Sequence, residues 1–264
     1  MKRLRIITFA CLIVSAVLLA VSSYLRAVRA DSTLPSIRIP EQPLVLSVAD
    51  HGTDALLEGV TASDKKDGDL TGRILLQDVT LQEGNRMKAT YAVVDSSRHV
   101  ASASRIVEYE DYVPPRFYLS APLRYTPGSS IQIKDRLTAF DVIDGDLSDQ
   151  IRVNANNLMP YYEGTYPVTF EVTNSLGDTA GITLDVTVQS PEPGEPAIRL
   201  SKYLIYLRQG DAFDPTDYLE SDGGNTVSAA LPQGGLQKGV NTVTYSCTGA
   251  NGVSGSTVLY VVVE

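Results

Sequence analysis

The chain of 264 residues has no tryptophan, two cysteines and two histidines. Cys11 lies in an apolar N-terminal stretch and Cys247 close to the other end, so a disulfide framework is excluded. Cys247 occupies an alternating strand position and reads as a small buried apolar residue. His51 and His99 both fall in apparent loops, and the chain contains no His-x-x-x-His, Cys-x-x-Cys or Gly-x-Ser-x-Gly spacing. Zinc hydrolysis and a nucleophile elbow therefore lack their residues. Basic residues are also few: 22 Lys and Arg stand against 31 Asp and Glu, for a net charge of −9. Five of those cations, Lys2, Arg3, Arg5, Arg26 and Arg29, sit in residues 1–30 with no acid among them, so the remainder carries −14. An acidic body repels phosphates, which excludes nucleic acid as a partner, and it attracts divalent cations.

Long hydrophobic runs are absent with one exception. After Met1-Lys2-Arg3-Leu4-Arg5, residues 6–25 carry no charge. Twenty residues at ~1.5 Å each span the ~30 Å of a bilayer core. The basic lead is expected to stay cytoplasmic and the body to be exported. A cleaved signal peptide is the rival, with Val28-Arg29-Ala30 as a small-residue site, although the run exceeds the ~7–15 residues of an ordinary signal core. Either way the body is expected outside the cytoplasm, held at the membrane if residues 1–30 remain and secreted if they are cut.

No amphipathic helix follows residue 30. Short alternating runs rich in Val, Ile, Thr and Tyr appear instead, punctuated by Gly, Asp, Asn and Pro. Examples are residues 87–94, 101–109, 166–173, 179–188, 240–247 and 256–263. The pattern reads as antiparallel β-sandwiches.

The runs are organised by a repeat. Asp64-Lys-Lys-Asp67-Gly68-Asp69-Leu70-Thr71 returns 77 residues later as Asp141-Val-Ile-Asp144-Gly145-Asp146-Leu147-Ser148. Each copy is followed by an aromatic-centred strand, at Tyr91 and Phe170, and a third such strand at Tyr245 comes without the acidic motif. Asp222-Gly223-Gly224 is the candidate remnant of the missing turn. A glycine precedes each strand, at Gly84, Gly164 and Gly239, where a turn with positive φ is expected. Proline clusters at Val113-Pro114-Pro115 and Pro191–Pro196 mark joints, expected to be semi-rigid extended spacers. The expected organisation is an anchor over 1–30 and three domains over 31–112, 113–190 and 197–264, with residues 31–42 as a short stalk.

The run Val60 to Thr71 with Tyr91-Ala-Val-Val-Asp95-Ser96-Ser97, and Gly164-Thr-Tyr166-Pro-Val168-Thr-Phe170-Glu-Val172-Thr-Asn174, resemble the tandem immunoglobulin-like domains of bacterial surface proteins. Similar modules are appended to a pesticidal crystal protein, and hyalin and cadherin-like repeats are distantly similar. The first repeat departs by an insertion after Gly84, and the third keeps only the Gly–Tyr strand. The resemblance implies Ig-like sandwiches at a cell surface and no single ligand.

Two features are candidate sites. Asp64, Asp67 and Asp69, with Asp141, Asp144 and Asp146, place three carboxylates within six residues twice over. Ca²⁺ takes six to eight oxygens, and such a cluster with backbone carbonyls supplies them. The competing reading is a tight turn in which Asp side chains bond their own backbone. The spacing is not that of a helix-loop-helix calcium site. Carboxylate pairs also serve glycoside hydrolysis, but duplication in equivalent turns is what a structural motif would show. The second feature is the tyrosine content of the last repeat, Tyr203, Tyr206, Tyr218, Tyr245 and Tyr260. Exposed, these would suit recognition of protein or glycan; alternating, they would fill a core. The expected function is a non-enzymatic surface protein whose domains present a binding face to an extracellular protein or glycan. The alternative is a secreted polysaccharide-binding module.

Overall fold

The computed structural model describes residues 2–29, 33–50, 52–221 and 224–264. One helix, Lys2–Arg29, precedes a body made of strands and short helical turns. Its segment Ile7–Leu25 has a mean hydropathy of 2.2, and none of it is buried in the molecule. The chain divides into two compact units, Met1–Glu110 and Asp111–Glu264.

In the first unit a four-stranded sheet runs in the order Leu44–Leu46, Val100–Tyr109, Arg86–Val94, Leu75–Glu83. A smaller sheet orders Ser36–Arg38, Thr61–Asp64 and Gly68–Asp69. The two long central strands pair over nine residues, from Arg86↔Glu108 to Val94↔Val100. Alternation along Arg86–Val94 buries Met87, Ala89, Tyr91 and Val93 completely. Such a period-2 pattern with one buried face is what fixes the register.

The second unit builds the same arrangement twice. Arg152–Asn154, Gly164–Thr173, Thr179–Val188 and Arg124–Tyr125 form one four-stranded sheet, opposite a small sheet of Gly145–Asp146, Leu137–Asp141 and Arg116–Leu119. Further on, Leu204–Leu207, Ser254–Val263, Gly239–Thr248 and Ser228–Ala230 form another, accompanied by Arg199–Leu200 paired with Leu219–Ser221. A parallel edge strand recurs at the same place in all three large sheets. The alternation of the sequence announces the strands but is blind to this parallel pairing. Asp222 and Gly223, the candidate remnant of the acidic turn, lie outside the described residues, as does His51.

The aromatic of each central strand is core. Tyr91 and Phe170 are fully buried and Tyr245 is 1% exposed. A buried tyrosine needs a partner for its hydroxyl. The Tyr91 hydroxyl donates to the Leu56 carbonyl at 2.7 Å and that of Tyr245 to the Pro215 carbonyl at 2.7 Å.

Three local expectations change. The segment expected as a stalk contributes a strand, because Ser36-Ile-Arg38 pairs with Thr61–Ser63. Pro35 and Pro40 flank it, where no ladder donor is required. Of the three turn glycines, Gly84 and Gly239 have φ of +59° and +101°, but Gly164 lacks a positive φ. At Gly164 the approach is close instead, since a Cβ there would stand 3.1 Å from the Tyr166 hydroxyl and the tyrosine side chain would have to give way. The proline-rich segment after Ser190 folds back on the second unit and does not stand clear as a spacer. One continuous core runs from Phe117 to Val263, with Leu119, Leu184, Leu204 and Leu259 among its members.

Candidate functional site

The two acidic motifs adopt one geometry. Asp64 Oδ1 accepts from the backbone N–H of Lys66 at 2.7 Å and of Asp67 at 3.0 Å. Asp141 Oδ1 accepts from Ile143 and Asp144 at the same two distances. This side-chain capping of a turn is the bond that aspartate makes readily. Gly68 and Gly145 follow with φ of +75° and +74°, a left-handed conformation that an L side chain resists.

The second aspartate of each motif reaches across to another loop. Asp67 receives the Ser96 backbone N–H at 2.6 Å and the Ser96 hydroxyl at 2.7 Å. Asp144 receives the N–H and hydroxyl of Ser175 at 2.6 and 2.7 Å. Ser96 and Ser175 lie in the tight connection between the two long central strands, so each carboxylate staples the small sheet's turn to the large sheet's hairpin. The Ser96 bonds hold the Asp67 carboxyl below its ordinary pKa of 3.8.

The third aspartate organises the strand exit. Asp69 accepts from the Thr71 N–H and Asp146 from the Ser148 N–H, each at 2.9 Å. Both carboxyls are held below the ordinary value by these Thr and Ser donors. The Thr71 and Ser148 hydroxyls in turn accept from the backbone of Ala62 and Ala139, at 3.1 and 3.2 Å, so the turn is locked to its own strand.

The hairpins carry their own side-chain caps. Asp95 Oδ1 accepts from Ser97 and His99 N–H, and its Oδ2 pairs with His99 Nδ1 at 2.7 Å. In the next repeat Asn174 takes that place, accepting from Leu176 and Asp178 N–H. Its Nδ2 donates to Asp141 Oδ2 at 3.1 Å and to the Tyr112 hydroxyl at 3.0 Å. Tyr112 donates to Asp178 at 2.7 Å, and burial with that carboxylate pushes its pKa up.

In the last repeat the hairpin Gly249–Val253 has the same backbone bonds, with Gly249 N–H donating to Val253 O at 2.8 Å. Gly249 stands where Asp95 and Asn174 stand, and Ala250 where Ser96 and Ser175 stand. The serine half of the staple is missing from the repeat whose sequence lacks the acidic half.

The six aspartates are thus brought to equivalent places, but their oxygens turn to different donors. Among the described residues, no three His, Cys, Asp or Glu side chains form a group that could hold a metal ion. The tyrosines of the last repeat are mostly interior: Tyr203 and Tyr260 are 6% exposed and Tyr245 is 1% exposed. Exposed aromatics lie in the second repeat, at Tyr161 and Tyr162, 76% and 70% exposed, and at Tyr118 and Phe140, whose rings meet edge to face. The doublet after Pro160, in a stretch without strand alternation, was the sequence signal for the first two.

No protein-family model matches the chain. A stretch is similar to the pesticidal crystal protein Cry22Aa of Bacillus thuringiensis, 40% identical over 79 residues, which are 30% of this chain and 10% of that protein. An uncharacterized 81.3 kDa protein of Acholeplasma phage L2 is 29% identical over 112 residues, 40% of this chain and 15% of that one. The chain therefore corresponds to a small part of either relative's length. Among solved structures, CBM51-2 in complex with GlcNAc and INT domains from Clostridium perfringens ZmpB aligns over 58% of this chain and 41% of its own, at 15% identity and a TM-score of 0.24. Mouse cadherin-23 EC22-24 aligns over 88% and 99%, at 15% identity and a TM-score of 0.21. Human desmocollin-1 ectodomain aligns over 88% and 62%, at 11% identity and a TM-score of 0.22. Scores this low leave the architecture to be argued from its own strands.

Proposed function

We propose that the protein is a non-enzymatic, single-pass surface protein of the tandem Ig-like kind. Three sandwiches, over 31–112, 113–190 and 197–264, project from the membrane and present a binding face to an extracellular protein or glycan. The observation that carries this reading is the helix. Ile7–Leu25 is an apolar surface on which none of the described residues packs, and so large an exposed apolar surface calls for a lipid environment. The Lys2, Arg3 and Arg5 flank assigns the N-terminus to the cytoplasm.

The acidic turns are read here as staples and not as catalytic or metal groups. The support is the joint loss, in one repeat, of the aspartate and of the serine it would bind. A catalytic or metal role gives no reason for Ala250 to replace a serine that only receives the carboxylate.

The test is protease treatment of intact spheroplasts expressing the full chain, with membranes then probed for the N-terminus. Degradation of the body with retention of a small N-terminal fragment is expected. A body protected from external protease would overturn the surface reading. A body released into the medium without residues 1–30 would favour the secreted alternative.

A further inference from the structure

The segment between the second and third repeats is a strap. Its Glu195 carboxylate lies against the Arg124 guanidinium, taking Arg124 Nη2 at 2.9 Å and Arg124 Nη1 on the other oxygen. Glu195 also accepts from the Glu192 N–H at 3.2 Å, and Asn251 Nδ2 donates to the Gly194 carbonyl at 3.1 Å. Further along, Pro196 presses on the strand Ser254–Val263 at Gly255, where a Cβ would run into the Pro196 carbonyl oxygen. The two repeats are joined beside it by Tyr260, whose hydroxyl bonds both the N–H and the carbonyl of Asp185 at 3.1 Å.

Under the strap lies a cavity of about 390 Å³. One part of its wall is apolar, from Leu123, Pro196, Ile198 and Val258. Another part is a polar row, Asp185, Thr187 and Gln189, faced by Ser256. Residues 185, 187 and 189 fall on one side of an extended segment, so their side chains share a face. Those side chains take no part in the bonds that hold the junction.

We propose that this cavity binds one or two rings of a neutral saccharide. The volume lies at the small end of the ~300–1,000 Å³ of ligand pockets, and a junction between domains is a favoured place for one. A sugar ring has an apolar C–H face and a rim of hydroxyls, which matches an apolar wall beside a row of carboxylate, amide and hydroxyl groups. The charge excludes acidic sugars: Arg124 is matched by Glu195, and Asp185 and Glu192 remain on the lining. The proposal rests on the reading of the protein as a binding module and names the ligand class for it. It does not depend on how the chain meets the membrane.

The test is calorimetric titration of the full chain in lipid nanodiscs with cellotetraose, maltotetraose, N-acetylchitotetraose and, as the acidic control, tetragalacturonate. At least one neutral probe is expected to bind, with the acidic one silent. Asp185→Asn should weaken the bound probe about tenfold, the worth of one hydrogen bond to a charged group. Thr187→Tyr should fill the cavity and abolish binding while the melting temperature stays near that of the wild type. The proposal is overturned if none of the three neutral probes binds, if the acidic probe binds equally well, or if a folded Thr187→Tyr protein binds as the wild type does. Topology is read separately by the spheroplast experiment, so either reading can fail alone.

Discussion

The first repeat and the last centre the same large sheet on a buried tyrosine, yet close it by opposite means. Behind Tyr91 stands Arg105, only 7% exposed. Its Nε donates to the Tyr91 hydroxyl at 2.8 Å, and its two Nη groups donate to Glu58 O at 2.9 Å and Leu56 O at 2.5 Å. Arg105 faces Ala89 across the ladder, and the matching pair in the last repeat is Val243 and Leu259. The first repeat also has the Asp67–Ser96 staple. Among its described residues the last shows neither device; it shares a core with the second repeat and adds Tyr206, whose hydroxyl accepts from the Phe117 N–H at 2.9 Å. One β framework is therefore closed from within by polar groups, or from outside by a neighbour. Both satisfy the same requirement, that a small domain of limited core find extra ties.

The largest way to break this comparison is Arg105→Ala. It opens a void, takes the Arg105 donor from the Glu58 carbonyl, and leaves the Tyr91 hydroxyl and the Leu56 carbonyl with only the bond they make to each other, so a loss of about 3 kcal/mol or more is expected in the first unit. Arg105→Leu, which installs the residue of the last repeat, should recover part of the packing and lose less. Chemical denaturation of the two variants beside the wild type measures the difference, and equal stability of all three would show that Arg105 closes nothing.

Next in size is the tie between the second and third repeats. Tyr206→Phe with Tyr260→Phe removes the hydroxyls bonded to Phe117 and Asp185, at about 1 kcal/mol for each net hydrogen bond. In the wild type residues 111–264 should melt as one transition, because their core is continuous. The double variant should separate it into two. Burial also pushes the Tyr260 pKa up to about 12, from an ordinary 10.0. Stability from this group is full below pH 10 and is lost as pH rises toward 12, since the unfolded chain gives up the proton first. Two transitions already present in the wild type would mean that the neighbour does not close the last repeat.

A smaller effect is expected in acid. Asp67, Asp69 and Asp146 have folded pKa values below 3.8. Their contribution is present above that value and is lost as pH falls through the lowered pKa. Melting of the full chain between pH 5 and pH 2 should therefore weaken in that window. In Asp67→Asn with Asp146→Asn the weakening should be reduced, and an unchanged acid profile would count against a stabilising role for the Asp67 staple and the Asp146 turn bond.

These comparisons also mark what could be read from residues alone. Strands were legible wherever alternation was strong, as in Arg86–Val94, and the buried aromatics followed from the same pattern. The equivalence of the two acidic turns was legible because the backbone needs Asp, Gly and Asp at fixed spacing. Arg105 was not, since a charged residue in a strand is ordinarily exposed and its acceptors, Leu56 and Glu58, lie 47 or more residues away. The roles of Ser96 and Ser175 were not legible either, because a bond across 29 or 31 residues leaves no local trace. The strap was hidden for the opposite reason. Its prolines speak for extended chain, and what folds it down is distant in sequence: Arg124, 71 residues before Glu195, and Asn251, 57 residues after Gly194.

The smallest expected effect is that of calcium. A weak site in either acidic turn would require six to eight oxygens around one ion. In the structure Asp67 spends one oxygen on the Ser96 N–H and the other on its hydroxyl, and Asp144 does the same with Ser175. Coordination would have to share or compete for the same oxygens that these charge-assisted bonds hold in place. We therefore expect the melting temperature in about 10 mM calcium to match that in magnesium at equal ionic strength, across the affinity range of ~10⁻⁴–10⁻³ M usual for extracellular modules. Ser175→Ala sharpens the point. It frees one Asp144 oxygen from the hydroxyl and makes the second repeat resemble the last, which has Ala250 at that place. If the turn is only a staple, the variant melts lower and calcium does not restore it. A rise with calcium but not with magnesium, in the wild type or in Ser175→Ala, would make the acidic turns a metal site, and the difference between the repeats would then be one of ligand binding and not of closure.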